Sequence, residues 1–265
     1  MRSRLLTAFG LALLTIVVVV YGTPLLVAAA LGAALLAGGW EWSAFLALRG
    51  GGRLLYVLAL ALLAVLASLY TVALAAFVQL MELAVAWWFI ALAWILFAPS
   101  RGSRAVAALA GILVLVPAWL ALVRIDTRWA HGPQWTLFVL GLAFAADTGA
   151  FFTGRRFGRL RLAPQVSPNK TWEGVLGGML LALGVAAIVN LWSRLPWQAF
   201  IPLCASAAAF SVIGDLTESL LKRHVHLKDS GRLFPGHGGV LDRIDSVTAA
   251  APVLALGLTW LGIGR

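Results

Sequence analysis

The sequence predicts an all-α fold, a polytopic helical bundle embedded in a membrane. Of its 265 residues, 62% are hydrophobic and only 11% charged, with a mean hydropathy of +0.96. A soluble domain of this size would need far more polar surface. Apolar runs of about 20 residues, long enough to cross a hydrocarbon core, recur along the chain. The short alternating segments of an outer-membrane barrel do not appear. Helices are expected near 5–20, 25–48, 54–79, 82–98, 105–123, 135–153, 172–193, 197–222 and 244–263, which makes about eight or nine spans. One membrane domain over 1–265 accounts for them, with no internal repeat.

The first segment follows Met1-Arg2-Ser3-Arg4 and has the look of a signal peptide. No small-residue cleavage site follows, because Tyr21-Gly22-Thr23-Pro24 intervenes, so an uncleaved helix is expected. The second and third segments are long enough to be broken or re-entrant. Through residue 134 the chain reads mainly as hydrophobic scaffold, with arginines at its loop ends. Residues 135–246 read as catalytic helices and loops, and 247–265 as the final helix. The single cysteine, Cys204, sits in an apolar run and excludes an internal disulfide.

A net charge of +10 invites a nucleic-acid reading, but the distribution argues against it. The basic residues sit in short loops, where the positive-inside rule puts them. Arg155, Arg156, Arg159, Arg161 and Lys170 mark one loop as cytoplasmic; Lys222, Arg223, Lys228, Arg232 and Arg243 mark another. Two spans separate them, so both lie on one side. The acids are more informative. Seven of the ten, and all three lysines, fall between 147 and 245.

In SVIGDLTESLLKR, Asp215, Glu218, Ser219 and Lys222 share one helical face. A carboxylate so placed lies in or at the edge of the bilayer and needs compensation. The bland reading is a Glu218–Lys222 pair within the helix, with Asp215 bound to a neighbour. The next loop offers matching chemistry. Asp242 and Asp245, facing Asp215, would make a hard all-oxygen site suited to Mg²⁺, which takes one or two carboxylates plus water and substrate phosphates. His237 is better placed to donate to phosphate than to bind such a metal. Gly238-Gly239 lets backbone N–H groups approach an anion, and Pro235-Gly236 sets the turn.

A second cluster runs from Asp147 to Gly174. Asp147 is an intramembrane acid, either functional or paired with a structural arginine. Ser167-Pro168-Asn169-Lys170-Thr171-Trp172-Glu173 reads as a capped helix start, with Asn169 or Thr171 as the cap. A helix N-terminus beside Lys170 is also a natural phosphate seat.

These residues resemble a known family, the phosphatidate cytidylyltransferases (CDP-diacylglycerol synthases). Ser219-x-x-Lys222-Arg223-x4-Lys228-Asp229, then Pro235-Gly236-His237-Gly238-Gly239-x-x-Asp242-Arg243-x-Asp245, is similar to the family signature. Asp147-Thr148-Gly149-Ala150 and Ser167-Pro168-x-Lys170-Thr171-Trp172-Glu173-Gly174 are similar to its second block. The resemblance covers roughly residues 140 to 246 and assigns nothing to the N-terminal half.

It implies transfer of CMP from CTP to phosphatidate at the cytoplasmic face of a bacterial inner membrane, with release of pyrophosphate. On this reading Asp215, Ser219, Lys222, Arg223, Asp242 and Asp245 are catalytic. Asp147, Ser167, Asn169, Lys170, Thr171, Lys228, Asp229, His237, Gly238, Gly239 and Arg243 bind substrate. The acids matching Asp215 and Asp242 are metal ligands in the family, with Asp245 beside them, for Mg²⁺ and a second cation such as K⁺. The partners implied are CTP, phosphatidate and the lipid bilayer, with no nucleic acid; a homodimer is left open.

Other classes fit less well. A transporter explains Asp147 and Asp215 but not the basic, glycine-rich loop, and no inverted repeat is visible. A CDP-alcohol phosphatidyltransferase would carry D-G-x2-A-R with downstream acids at D-x3-D spacing, absent here. A cytidylyltransferase acting on an isoprenoid lipid phosphate shares the loop chemistry. A non-catalytic scaffold has no need of the polar cluster.

Overall fold

Long apolar helices dominate the chain, as a membrane protein requires. The structure, a computed structural model, describes residues 2–231, 233 and 238–264. Among these residues the elements are α1 (Arg2–Tyr21), α2 (Pro24–Trp42), α3 (Gly51–Tyr70), α4 (Leu74–Phe97), α5 (Arg104–Arg128), α6 (Gly132–Phe157), β1 (Arg161–Ala163), β2 (Ser167–Thr171), α7 (Trp172–Ser193), α8 (Trp197–His224) and α9 (Leu241–Trp260). The seven helices α2 to α8 are long and apolar enough to cross a membrane. The protein is a multi-pass membrane protein.

The second and third expected segments are both interrupted, as their length allowed. The run expected over 25–48 stops at Trp42 and continues as turns to Ala47, whose φ is +53°. The run expected over 54–79 is two helices. It breaks at Thr71, whose N–H and hydroxyl both donate to Ala67 O, at 2.9 and 2.7 Å, while Arg124 donates to the Thr71 carbonyl. Residues 74–81 therefore open α4. The helix start expected at 172 with Thr171 as cap is found, and the residues ahead of it, Ser167–Thr171, form a strand antiparallel to β1, with Arg161 opposite Thr171 and Ala163 opposite Ser167. Pro168 is harmless on a two-stranded edge, where its missing N–H breaks no central ladder. The helix waits for Thr171, whose side chain caps it by accepting from Gly174 N at 3.2 Å.

The terminal helix α9 is the axis of the bundle. Every residue from Ser246 to Thr259 is buried, and it touches α2, α4, α5, α6 and α8. Two apolar clusters pack around it, one centred on Phe77, Ile125, Leu142 and Leu254, the other on Trp42, Trp88, Leu220 and Leu241. Helices α6 and α7 meet through glycines: a Cβ on Gly149 would lie 2.9 Å from Gly178 Cα, and one on Gly178 3.2 Å from Ala150 Cβ. Small residues let membrane helices approach this closely.

The segments 43–50, 98–103 and 158–171 and the described residues of 225–240 gather at one end. His224 Nε2 lies 2.7 Å from Pro99 O, and Glu41 bonds the start of α9. At the opposite end α5 meets the α3–α4 break through Arg124. The charged loops thus share one face of the bundle.

Candidate active site

At that face a cavity of about 710 Å³ opens between α6, the hairpin, α7, α8 and α9. Nine residues singled out in the sequence line it: Asp147, Asn169, Lys170, Thr171, Asp215, Lys222, Asp242, Arg243 and Asp245. Arg155 joins them at the α6 rim, and glycines 154, 174 and 178 form the back wall. In an otherwise apolar chain, this is where the charges converge.

Each acid has a defined partner. Lys170, at the end of β2, forms an ion pair with Asp215 on α8. Lys222, two turns further along the same face of α8, reaches across to Asp242 Oδ1 at 2.7 Å and back to Glu218 Oε1 at 3.2 Å. Asp147 Oδ1 accepts from Ser246 Oγ at 2.8 Å, and Ser246 N donates to Asp245 Oδ1 at 2.8 Å, so one serine ties α6 to α9. Asp245 lies within Coulombic reach of Asp215, Asp147 and Lys170. Arg243 exerts its field on Asp147. Both features of the bland reading are present: Glu218 pairs with Lys222 along the helix, and Asp215 is bound to a neighbouring element. Unlike a purely structural network, however, this one borders an open cavity.

The loop before α9 is built differently from the sequence expectation. Asp242 Oδ2 accepts from Gly239 N at 2.8 Å, Ser230 N at 3.0 Å and Ser230 Oγ at 2.9 Å. The next two N–H groups, of Val240 and Leu241, go to Glu41 on α2 at 3.0 and 2.9 Å. The anions that meet this glycine-rich turn are the protein's own carboxylates. Gly238 has φ +79°, a left-handed conformation that favours glycine, and a Cβ there would crowd Asp242 Cγ at 3.2 Å.

Other expected residues lie outside the cavity. Ser219 is half-buried, with its hydroxyl 3.5 Å from Asp215 Oδ1. Arg223 reaches the hairpin turn at Val166 O, 3.5 Å away, and Ser167 sits in β2. Lys228 and Asp229 are exposed on the loop. His237 lies outside the described residues. Glu173, in the first turn of α7, accepts from Leu160 N at 3.2 Å and anchors the hairpin.

Three residues emerge only from the structure, Glu41, Ser230 and Ser246, while Glu218 was read from the sequence as a pair for Lys222 and not as a site residue. Glu218 carried a signal, its place on the Asp215–Lys222 face. Ser246 and Ser230 are ordinary serines beside charged neighbours. Glu41 stands alone in an apolar helix, and an acid in a membrane helix is itself a flag.

Residues 2–261 match the cytidylyltransferase family. The chain belongs to the cytidylyltransferase family. It is 38% identical to the phosphatidate cytidylyltransferase of Haemophilus influenzae, over 95% of this chain and 96% of that one. It is 39% identical to the phosphatidate cytidylyltransferase of Pseudomonas aeruginosa, over 87% and 86% of the two chains. The phosphatidate cytidylyltransferase of Thermotoga maritima is 39% identical over 58% of this chain and 60% of its own. Membership of the family makes the protein a nucleotidyltransferase, for which the charged cavity is the candidate site.

The donor set bears on a metal. Among the described residues, no three acidic, histidine or cysteine side chains converge closely enough to cage an ion unaided. The carboxylates Asp215 and Asp245 are all-oxygen donors on the cavity wall and fit the mode in which Mg²⁺ takes one or two carboxylates and completes its shell with water and phosphates. Asp242 is less available: Oδ2 holds three donors, and Oδ1 faces Lys222.

Proposed function

We propose that the protein transfers CMP from CTP to phosphatidate, forming CDP-diacylglycerol and pyrophosphate at the cytoplasmic face of a bacterial inner membrane. The observation that carries this reading is the cavity itself: carboxylates alternating with lysines, opening at the basic end of a membrane bundle. CTP is a cytoplasmic solute, phosphatidate an interfacial lipid, and such a site is accessible to both.

A phosphate oxygen of the lipid forms a bond to the α-phosphorus of CTP. The bond from that phosphorus to the bridging oxygen breaks in line, and its electron pair leaves with pyrophosphate. The lipid phosphate has a second pKa of about 6, so it is largely a dianion near neutral pH and needs no general base. Most of the help required is electrostatic. A Mg²⁺ held by Asp215 and Asp245 would neutralise charge on the triphosphate.

Lys170 and Lys222 stand beside these acids and supply cations to phosphate oxygens. Both are held by carboxylates, so entering phosphates exchange one anionic partner for another without exposing a bare charge. Arg155 and Arg243 place further positive charge at the cavity wall. Thr171, bound to the first turn of α7, sets the hairpin so that Lys170 faces Asp215.

The test is purified protein in detergent with CTP, Mg²⁺ and a panel of lipid phosphates that includes phosphatidate and an isoprenoid phosphate. Phosphatidate-dependent, stoichiometric release of pyrophosphate and CDP-diacylglycerol is expected. Asp215→Ala should abolish it, and Lys222→Gln should lower kcat at least 10-fold, since this contact strengthens as charge develops. Transfer to the isoprenoid phosphate alone, or no lipid-dependent transfer, would overturn the assignment.

A further inference from the structure

A second cavity, almost wholly apolar and of about 300 Å³, lies between α1, α2, α5, α6 and α9. It is not a separate feature of the bundle. On α6, Leu140, Phe144, Asp147 and Phe151 form one helical stripe. Leu140 and Phe144 line the apolar cavity, while Asp147 and Phe151 line the charged one. Helix α9 borders both on different faces of its first turns: Ile244, Val247 and Thr248 meet the apolar cavity, and Asp242, Arg243 and Asp245 the charged one. The two spaces share two helices, so a molecule with a phosphate in the charged one can place a hydrocarbon in the apolar one.

Two details indicate the occupant. The rim is exposed, with Leu14 at 59% and Phe144 at 45%, on a surface that faces lipid. Inside, the indole N–H of Trp119 is buried and has no hydrogen-bond partner. The polar groups of Thr15 and Thr248 are already satisfied by Leu11 O and Asp245 O, at 2.9 and 2.6 Å. Trp87, Trp88 and Trp129 have the same unpartnered N–H elsewhere, but Trp119 alone among them lines this cavity, where an acceptor brought by a ligand would satisfy it. A small-molecule site of this size is at the lower end of the usual range and suits a stretch of chain rather than a whole lipid.

We infer that this cavity is an acyl-chain subsite, receiving the ester-proximal part of one fatty-acyl chain of the lipid phosphate, with Trp119 Nε1–H donating to the ester carbonyl. The inference rests on the proposed transfer to phosphatidate. The α6 stripe leads the chain up to Asp147, and Ala34 on α2, half-buried in the lining, sets the room available.

Steady-state kinetics with dihexanoyl and dipalmitoyl phosphatidate in mixed micelles test this. Ala34→Phe, which fills the cavity, should raise the KM for both lipids at least 10-fold, since both carry the ester-proximal segment, and leave the KM for CTP within about twofold. An unchanged lipid KM, or an equal rise in the KM for CTP, would overturn the subsite. Trp119→Phe gives a second readout should the filled variant fail to fold. It should raise the KM for diester phosphatidate several-fold and leave that for the diether analogue, which lacks the carbonyl, unchanged; an equal change in both would exclude the carbonyl contact. Absence of any lipid-dependent transfer by the wild-type protein would instead remove the proposed function, a result visible before either variant is made.

Discussion

Glu41 shows how a residue far from the chemistry can govern it. Its carboxylate accepts from Val240 N, Leu241 N and Ser230 Oγ, and Ser230 in turn bonds Asp242. It thus satisfies N–H groups that a helix start leaves unpaired and holds the turn from which Asp242 faces Lys222. Glu41→Ala leaves two buried N–H groups without acceptors, at about 1–3 kcal/mol each. A destabilisation of about 3 kcal/mol is expected by thermal unfolding in detergent, with kcat down at least 10-fold. Glu41→Gln keeps one acceptor oxygen and should fall between the two. Wild-type kcat in a folded Glu41→Ala protein would show that Asp242 needs no such support.

At the scale of elements, the α6–α7 pair makes the cavity wall, and its glycines set the spacing. Gly178 lies against Ala146 and Ala150, whereas a Cβ on Gly184, two turns along the same helix, would meet nothing within 4 Å. Overpacking costs about 1–3 kcal/mol in a well-packed interior, and here it also moves Lys170 and Thr171 with the helix. Gly178→Leu should therefore lose at least 10-fold in activity and unfold at lower temperature. Gly184→Leu, on the exposed face, should stay within twofold by both measures. Similar losses in the two variants would mean that helix propensity, not interhelical distance, decides the effect.

For the whole molecule, the arrangement of ends makes a topological statement. The segment 158–171 and the described residues of 225–240 lie at one end of the bundle, and the α7–α8 connection with Arg194 at the other. Basic residues crowd the first end, which the positive-inside rule assigns to the cytoplasm. The only cysteine, Cys204, is buried, so introduced cysteines can be read without background. A membrane-impermeant thiol reagent applied to intact cells should label Arg194→Cys and spare Gln165→Cys and Lys228→Cys until the cells are opened. Labelling of the latter two from outside would invert the protein in the membrane.

The sequence by itself determined the class of fold and the neighbourhood of the site. Hydropathy needs no tertiary knowledge, because the bilayer is a uniform solvent and each apolar run answers to it independently. The convergence of Asp147, Lys170, Asp215, Lys222, Asp242 and Asp245 was legible too, since ionisable groups in an apolar chain have few reasons to be there. Tertiary structure decided what those residues touch. Thr71 breaks a helix because its own hydroxyl and Arg124 complete the cap. Residues 167–171 are a strand because β1 is there to pair with them. The glycine-rich turn receives Glu41 from nearly two hundred residues away, and Asp242 spends one oxygen on that turn and presents the other to Lys222. A hydrogen bond depends on a partner within about 3 Å and at the right angle. Spacing along one helix can supply that only for neighbours three or four residues apart, and every contact that shapes this cavity from another element waits for the chain to fold.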